Sequence, residues 1–65
     1  MKRNMMLVTC ISERETNKGQ ITIGKKYMID RLSIWIDRDG DAYGEVFGMD
    51  GYRVGDMLLR HFMPV

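Results

Sequence analysis

The chain has little of what covalent, metal or membrane chemistry requires. Its 65 residues include one cysteine, Cys10, one histidine, His61, and one proline. A single cysteine excludes an intramolecular disulfide, and with it the disulfide-stapled class of small secreted proteins. It also means that any metal site would need a mixed set of ligands. No apolar run approaches the ~20 residues of a membrane-spanning helix, so we expect no association with a membrane.

An excess of charge of either sign is also missing. Ten Lys and Arg oppose nine Asp and Glu, which leaves a formal charge of +1. This excess is too small for a protein held on nucleic acid mainly by phosphate attraction. A chain of this length and balanced composition predicts one folded domain over residues 1–65. The apolar run at residues 5–8 is too short for a secretory leader, so we expect a cytoplasmic protein.

Short β-prone segments separated by glycines predict strands rather than long helices. Seven glycines, all after residue 18, divide the chain into pieces of strand length. Residues 5–11 and 26–29 are predicted strands, and residues 21–23 form a shorter β-prone segment. Both alternating faces of residues 5–11 are largely apolar, so the pattern leaves open which face is buried. The polar residues 12–20 predict a solvated loop.

The clearest pattern is the strict alternation of residues 32–36, followed by a turn and a return strand over residues 41–47. A two-residue turn would place Glu45 in the apolar layer. A three-residue turn over residues 38–40, with Gly40 at positive φ, keeps Glu45 at the surface. Because burying an unpaired carboxylate costs several kcal/mol, we predict the three-residue turn.

The predicted register divides the hairpin residues between two faces. It places Ile36 opposite Ala42, Leu32 opposite Val46, and Trp35 opposite Tyr43. The expected inner face comprises Leu32, Ile34, Ile36, Ala42 and Val46, with Gly44 opposite Ile34. The expected outer face carries Trp35, Tyr43 and Phe47. A second turn at residues 49–51 is expected to lead into strand residues 52–54.

The C-terminal segment is expected to close the structure. Gly55 and Asp56 are predicted to break the preceding strand, with Asp56 as the N-cap of a short helical turn over residues 57–60. The residues expected to plug one end of a small barrel are Leu58, Leu59 and Phe62. Together, the segments predict an all-β, antiparallel fold with a short helical turn near the C-terminus.

These segments resemble a group of very small proteins common in phages and prophages of low-GC Gram-positive bacteria. The resemblance rests on the strand ending at Cys10–Ile11, the polar loop, residues 21–27, the Asp-rich hairpin at 37–41, the turn at Asp50–Gly51, and Phe62. It implies a five-stranded SH3-like barrel in the cytoplasm of the bacterial host. It also implies a phage-type accessory role, as a modulator or inhibitor of a host factor, although a shared fold does not by itself carry function. The chain departs from the group at residues 55–59 and in its high methionine content.

Catalytic and metal-binding patterns are weak. A spatial Cys10–His61 pair would be the one catalytic arrangement to consider, but we favour a buried thiol and a surface imidazole. The alternating aspartates of residues 37–41 resemble the start of a calcium loop, yet Gly40 does not fall at the sixth position that an EF-hand requires. Turn chemistry accounts for these residues. We therefore expect no enzymatic activity, no metal and no cofactor.

The outer hairpin face is the candidate binding surface, because Trp and Tyr dominate the energetics of many interfaces. The predicted partner-binding residues are Trp35, Tyr43, Phe47, Tyr52, Arg38 and Arg53. A structural alternative is that one or more of the rings cover a second apolar patch beneath the loop at residues 12–20. Self-association through this face or a sheet edge also remains open.

Nucleic acid is the alternative ligand, because small β-barrels often stack bases on aromatic side chains. The candidate positive strip comprises Lys25, Lys26, Arg31 and Arg38. Aspartates are interleaved with this strip, which weakens its attraction for phosphate. We therefore favour a protein partner.

Overall fold

The computed structural model describes residues 4–12 and 20–65, which form strands and short turns. The strands are β1 (Met5–Cys10), β2 (Lys26–Ile36), β3 (Ala42–Gly48), β4 (Arg53–Leu58) and β5 (Phe62–Pro64). A short 3₁₀ helix, Leu59–His61, connects β4 to β5. The strands make one antiparallel sheet in the order β4-β3-β2-β1-β5. The prediction of five antiparallel strands is confirmed, while most of the expected polar loop lies outside the described residues.

One face of this sheet carries the hydrophobic core. The sequence pattern did not decide which face of β1 is buried. In the structure Val8 and Cys10 are buried and Met6 packs against them, so this is the face of β1 that meets the core. The core cluster comprises Val8, Cys10, Ile21, Tyr27, Ile29, Val46, Met57 and Phe62. The rings of Tyr27 and Phe62 meet edge-to-face with their centroids 5.9 Å apart. Burial of these side chains is the main stabilising contribution in a chain of this size.

The β-prone residues 21–23 do not form a strand. Ile21 makes an isolated bridge and is buried in the core cluster. After it the chain turns, with the Lys25 amide donating to the Thr22 carbonyl at 3.1 Å. The Thr22 amide also donates to the Tyr27 hydroxyl at 2.8 Å. These bonds hold the segment against the start of β2 and satisfy backbone groups that lack a strand partner.

Both hairpin turns have the same three-residue form. In the first turn, the Asp37 amide donates to the Asp41 carbonyl at 2.9 Å, and the Gly40 amide donates to the Asp37 carbonyl at 3.1 Å. The second turn, over residues 48–52, repeats these two bonds at 2.8 and 2.9 Å. Gly40 has a φ of 86°, which side chains other than glycine rarely adopt. The predicted three-residue turn is confirmed.

The pairing of β2 with β3 is as expected only near the turn. The expected pairs that the structure contains are Trp35–Tyr43 and Ile36–Ala42. Beyond them, the four β2 residues 31–34 are opposed by Gly44 alone, and regular pairing resumes with Asp30 opposite Glu45. This irregularity shifts the register by three residues relative to a continuous ladder.

The predicted inner face differs from the structure in the place of Leu32 and in how much of the face is buried. Ile29, not Leu32, lies opposite Val46 and is buried. Leu32 is instead 81% exposed. The members of the predicted inner face that are exposed or only half-buried are Leu32, Ile34, Ile36 and Ala42. Alternation within residues 32–36 identified a strand, but it could not reveal that residues 31–34 interrupt the pairing of this strand with β3.

The predicted break after residue 54 is also wrong. β4 continues through Gly55, which has a φ of 150° at an irregularity in the pairing with β3. The helical turn begins at Leu59, two residues later than predicted, and its N-cap is Leu58 without a side-chain capping bond. Asp56 is therefore not an N-cap, and its carboxylate accepts a hydrogen bond from Trp35.

The core-facing side of β3 has no space for a side chain at Gly44. A Cβ atom there would lie 3.0 Å from Ile29 Cγ2 and 3.1 Å from Leu59 Cδ2. It would also lie 3.5 Å from Ile34 Cγ1, as expected for a glycine on the same face as Ile34. The expected plug residues are buried or partly buried, with Leu59 and Phe62 packed at the core. Glycine thus allows the 3₁₀ segment to approach the sheet closely.

Candidate functional site

A hairpin arm, defined as residues 31–43, extends past the strands that flank it. β1 pairs with β2 from Lys26 to Asp30. On the other side, β4 reaches along β3 as far as Tyr43. Within the described residues, the last part of β2 therefore has β3 as its only strand neighbour. From Leu32 to the turn, the β2 side of the arm is therefore an open edge of the sheet among the described residues.

Side chains that bond to backbone groups build the base of the arm. Asp30 Oδ1 accepts from the Leu32 amide at 3.0 Å. The Ser33 hydroxyl donates to the Asp30 carbonyl at 2.6 Å and accepts from the Glu45 amide at 2.8 Å. These bonds give partners to the Leu32 and Glu45 amides and to the Asp30 carbonyl, next to the point where regular pairing stops. Side chains of the sequence itself therefore fix the conformation of the base of the arm.

One face of the arm is aliphatic. Ile34 and Ile36 alternate with Trp35 and so point to the same side of the sheet as the core. Leu32, in the irregular segment, is the most exposed of the large apolar side chains, and Ile36 is 68% exposed. Single exposed apolar side chains are ordinary, but several within five consecutive residues make a patch. The sequence pattern had placed these side chains in the core.

The opposite face of the arm carries a stacked aromatic pair. The rings of Trp35 and Tyr43 lie 4.5 Å apart between centroids, with an interplanar angle of 15°. The indole nitrogen of Trp35 donates to Asp56 Oδ2 at 3.0 Å, which fixes the ring against β4. Trp35 is nevertheless 48% exposed. The ring is thus exposed, as expected, and is held in one orientation by contacts within the protein.

A row of carboxylates lies beside the aromatic pair. Asp30 is opposite Glu45 across β2 and β3, and Glu45 is opposite Asp56 across β3 and β4. Side chains at directly opposed positions share one face of the sheet, about 4.5–5.5 Å apart at Cβ. Arg53 Nε lies 3.5 Å from Glu45 Oε2 and offsets one of the charges. The aromatic face is therefore bordered by negative charge.

The turn aspartates have structural partners. Asp37 Oδ1 accepts from the amides of Asp39 and Asp41, at 2.9 and 3.0 Å. The Asp41 carboxylate pairs with Arg60 of the 3₁₀ helix. Among residues 4–12 and 20–65, no three acidic, histidine or cysteine side chains are arranged to hold a metal ion. The spacing that suggested a calcium loop is explained by bonds within the turn.

The structure separates the six predicted partner-binding residues. Phe47 is on the same face of β3 as Tyr43, as predicted, but it is only 7% exposed, which agrees with the alternative that a ring on this face is covered. Arg38 is exposed in the turn of the arm, whereas Tyr52 and Arg53 lie at the other end of β3. The length of β3 places these two ends about 20 Å apart, at about 3.3 Å per residue. Arg53 nevertheless borders the aromatic face through its ion pair with Glu45, which is on the same face of β3 as Tyr43, whereas Tyr52 lies at the far end of the strand.

Tyr52 belongs to a second region. It is 75% exposed and closes the turn between β3 and β4. An open cleft beside it is lined by Gln20, Thr22, Lys25, Tyr27, Gly48, Asp50, Tyr52 and Val54. Its lining mixes one ammonium, one carboxylate and several neutral groups, with no single chemical character. It does not continue to the aromatic pair on the arm.

The sequence pattern missed a contact between Ser12 and His61. The Ser12 hydroxyl lies 2.9 Å from His61 Nδ1, and the Ile11 amide donates to the His61 carbonyl at 2.7 Å. The Cys10 thiol donates to the Ser12 carbonyl at 3.3 Å. The expected surface position of the imidazole is wrong, because His61 is 3% exposed. These bonds join the end of β1 to the 3₁₀ helix, 49 residues apart, a separation at which sequence spacing gives no information.

Comparison with protein-family models, curated proteins and solved structures finds no match to the chain. None of the helical segments in the described part of the chain has the length and apolarity needed to span a bilayer. Functional inference therefore rests on the geometry of the surface. Of the surfaces described, the hairpin arm combines the most apolar exposure with the most defined side-chain positions.

Proposed function

We propose that this protein is a non-catalytic binding module that recognises a protein partner through its hairpin arm. The observation that carries the proposal is the exposure of apolar side chains on both faces of the arm. Leu32 and Ile36 are exposed on or near one face, and Trp35 on the other. A partner that covers both faces would remove these side chains from water at about 25 cal/mol per Å² of apolar surface.

The exposed side chains of the arm are held in defined positions, which is expected of a surface that recognises a partner and not of apolar side chains that are exposed only because the core is full. The stack with Tyr43 and the bond to Asp56 hold Trp35 in place. The bonds of Ser33 hold the base of the arm. Tryptophan and tyrosine are enriched among residues whose truncation weakens interfaces most. A rigid apolar projection of this kind suits a groove on a folded partner.

The charge of the arm opposes the nucleic-acid alternative. Between residues 30 and 45 there are five carboxylates and two arginines. Phosphate groups would approach a negatively charged border beside the only exposed indole, which is unfavourable at low and moderate salt. Arg53 and Arg60 pair with Glu45 and Asp41 and offset two of these charges, which leaves the segment with a formal charge of −1, and Lys25 and Lys26 lie before it in the chain. A protein partner is therefore the better ligand for this surface.

We also propose that the sheet is an SH3-like barrel of the type found in small phage and prophage proteins. The strand order β4-β3-β2-β1-β5 and the 3₁₀ helix between the last two strands support this proposal. The role implied by that resemblance is an accessory protein that modulates or inhibits a factor in the cytoplasm of the bacterial host. Function does not follow from fold, so the binding experiment must stand on its own.

The experiment is affinity capture from the lysate of a Gram-positive bacterium, with three versions of the protein as bait. These are the wild type, the double variant Leu32→Ser/Ile36→Ser, and the control Tyr52→Ala. Tyr52 is as exposed as the arm residues but lies at the far end of β3. Thermal melting first establishes that all three baits are folded, and quantitative mass spectrometry then compares the captured proteins.

We expect one or more proteins to be captured by the wild type and by Tyr52→Ala and lost with the double variant. Each serine removes an apolar contact worth roughly 1–3 kcal/mol when fully covered, so the two together reduce affinity at least tenfold. Identical capture by all three folded baits would contradict the proposal. Loss with Tyr52→Ala alone would move the binding surface to the cleft beside β4.

A further inference from the structure

We propose that the partner surface which covers the hairpin arm is cationic, with basic side chains set among apolar ones. The inference rests on the proposed function, because it specifies the chemistry of the protein that the arm recognises. Two observations support it, the exposed apolar side chains of the arm and the row of carboxylates formed by Asp30, Glu45 and Asp56, called the acidic border below. Neither the apolar patch nor the acidic border alone would define the occupant.

Acidic residues are concentrated in and next to the arm, whereas most basic residues lie elsewhere in the chain. Residues 30–45, which are the arm together with Asp30, Gly44 and Glu45, contain five of the nine acidic residues but two of the ten basic ones. Two of the five, Asp41 and Glu45, are paired with Arg60 and Arg53, so Asp30, Asp37 and Asp39 are the ones without an ion pair among the described residues. The whole chain carries a formal charge of +1, so this segment is more negative than the rest of the chain. A surface with a local charge opposite to that of its surroundings steers partners of the complementary sign.

The acidic border lies directly beside the exposed indole. Asp30, Glu45 and Asp56 occupy opposed positions on three neighbouring strands. Like charges at opposed positions repel one another, and of these three carboxylates only Glu45 has an ion pair among the described residues. A lysine or arginine of the partner placed over this row would reduce that repulsion. An arginine could also stack on the open face of Trp35.

A second copy of the chain fits this surface less well. A symmetric contact places the same patch on both sides of the interface. Two arms packed together would bring their carboxylates face to face, which costs free energy unless each finds a cation. Anionic membranes and nucleic acids meet the same repulsion. A basic protein segment satisfies both the aliphatic and the acidic parts of the arm.

The test is selection from a random-peptide library displayed on phage. The wild-type protein is the target, and folded Leu32→Ser/Ile36→Ser protein is used to remove peptides that do not require the arm. The peptides that remain are sequenced, and the strongest is synthesised for titration by isothermal calorimetry. This probe imposes no charge in advance, so its composition reports what the arm prefers.

Two charge variants then test the acidic border without changing shape. Glu45→Gln/Asp56→Asn removes two charges while the Asn side chain still offers an oxygen to the Trp35 indole nitrogen. The matched control is Asp50→Asn, because Asp50 accepts a similar turn bond, from the Tyr52 amide, at the far end of β3. Titrations are repeated at low and high salt.

We expect arm-dependent peptides rich in Arg or Lys and apolar residues. The double charge variant should bind them about three- to tenfold more weakly and with a smaller salt dependence, while Asp50→Asn binds as the wild type does. Neutral or acidic arm-dependent peptides, or unchanged binding by the double charge variant, would overturn the inference and leave the proposed function intact. Absence of any arm-dependent peptide would count against the proposed function itself. A dimer that the double serine variant abolishes would assign the arm to a second copy.

Discussion

The indole of Trp35 lies flat on the ring of Tyr43, with the two centroids 4.5 Å apart across β2 and β3. This stack places an aromatic surface outside the sheet rather than in its core. The acceptor at Asp56 holds the indole in that position from a third strand. Residues from three strands therefore fix one exposed side chain, which is the arrangement expected of a preorganised contact surface.

The environment of this indole can be measured directly, because Trp35 is the only tryptophan. We expect caesium ion to quench its fluorescence more efficiently than iodide, since the carboxylates beside it attract cations and repel anions. In Glu45→Gln/Asp56→Asn the difference between the two quenchers should shrink. Neutral acrylamide serves as the control for accessibility. Equal quenching by both ions in the wild type would contradict the negative border.

The shifted register predicts opposite outcomes for two aliphatic residues of β2. Ile29→Ala should destabilise the protein by about 2–5 kcal/mol, because Ile29 is buried opposite Val46. Leu32→Ala should change stability by less than about 0.5 kcal/mol, because its side chain is in water. Urea unfolding of both variants measures this. A large loss of stability for Leu32→Ala with little for Ile29→Ala would contradict the shifted register and support a continuous ladder with Leu32 opposite Val46.

The hydroxyl of Ser33 is predicted to hold the base of the arm. Ser33→Ala removes the acceptor of the Glu45 amide and should cost about 1–2 kcal/mol. Hydrogen exchange at the Glu45 amide should accelerate more than exchange at the Val46 amide. Ser33→Thr keeps the hydroxyl and is the matched control. Unchanged exchange at Glu45 in the alanine variant would refute this role of the hydroxyl.

Gly44 is predicted to be intolerant of even one methyl group. Gly44→Ala places a Cβ within 3.1 Å of Ile29 and Leu59, and the resulting shifts should cost about 1–3 kcal/mol. Shortening the neighbour should relieve part of this cost. We therefore expect Leu59→Ala to destabilise the Gly44→Ala background less than it destabilises the wild type, in a double-mutant cycle read by urea unfolding. Additive losses would show that the two sites do not share this contact.

Local chemistry allowed part of this structure to be predicted from the sequence. The turn around Gly40 follows from the need for positive φ and from the cost of burying Glu45. The pairing of Trp35 with Tyr43 follows from that turn, because a turn fixes the register of the residues next to it. These predictions depend on neighbours within a few residues of one another.

The irregularity in β2 and the burial of His61 could not be predicted, because they depend on hydrogen bonds that the pattern of apolar residues does not indicate. Asp30 and Ser33 divert their side chains to backbone groups and create the irregularity that exposes Leu32. The contact of Ser12 with His61 joins distant parts of the chain through tertiary packing. Both features change which side chains are buried, so Leu32, expected in the core, is exposed, and His61, expected at the surface, is buried.

The central claim is that the hairpin arm touches a protein partner. Photo-crosslinking in living bacteria tests it most directly, with benzoylphenylalanine placed at position 36 of the arm or, as the control, at position 52. Both side chains are exposed, and they lie at opposite ends of β3. We expect an adduct with a different protein from position 36 and none with that protein from position 52. Adducts from position 52 alone, or no adduct with another protein from position 36, would contradict the account.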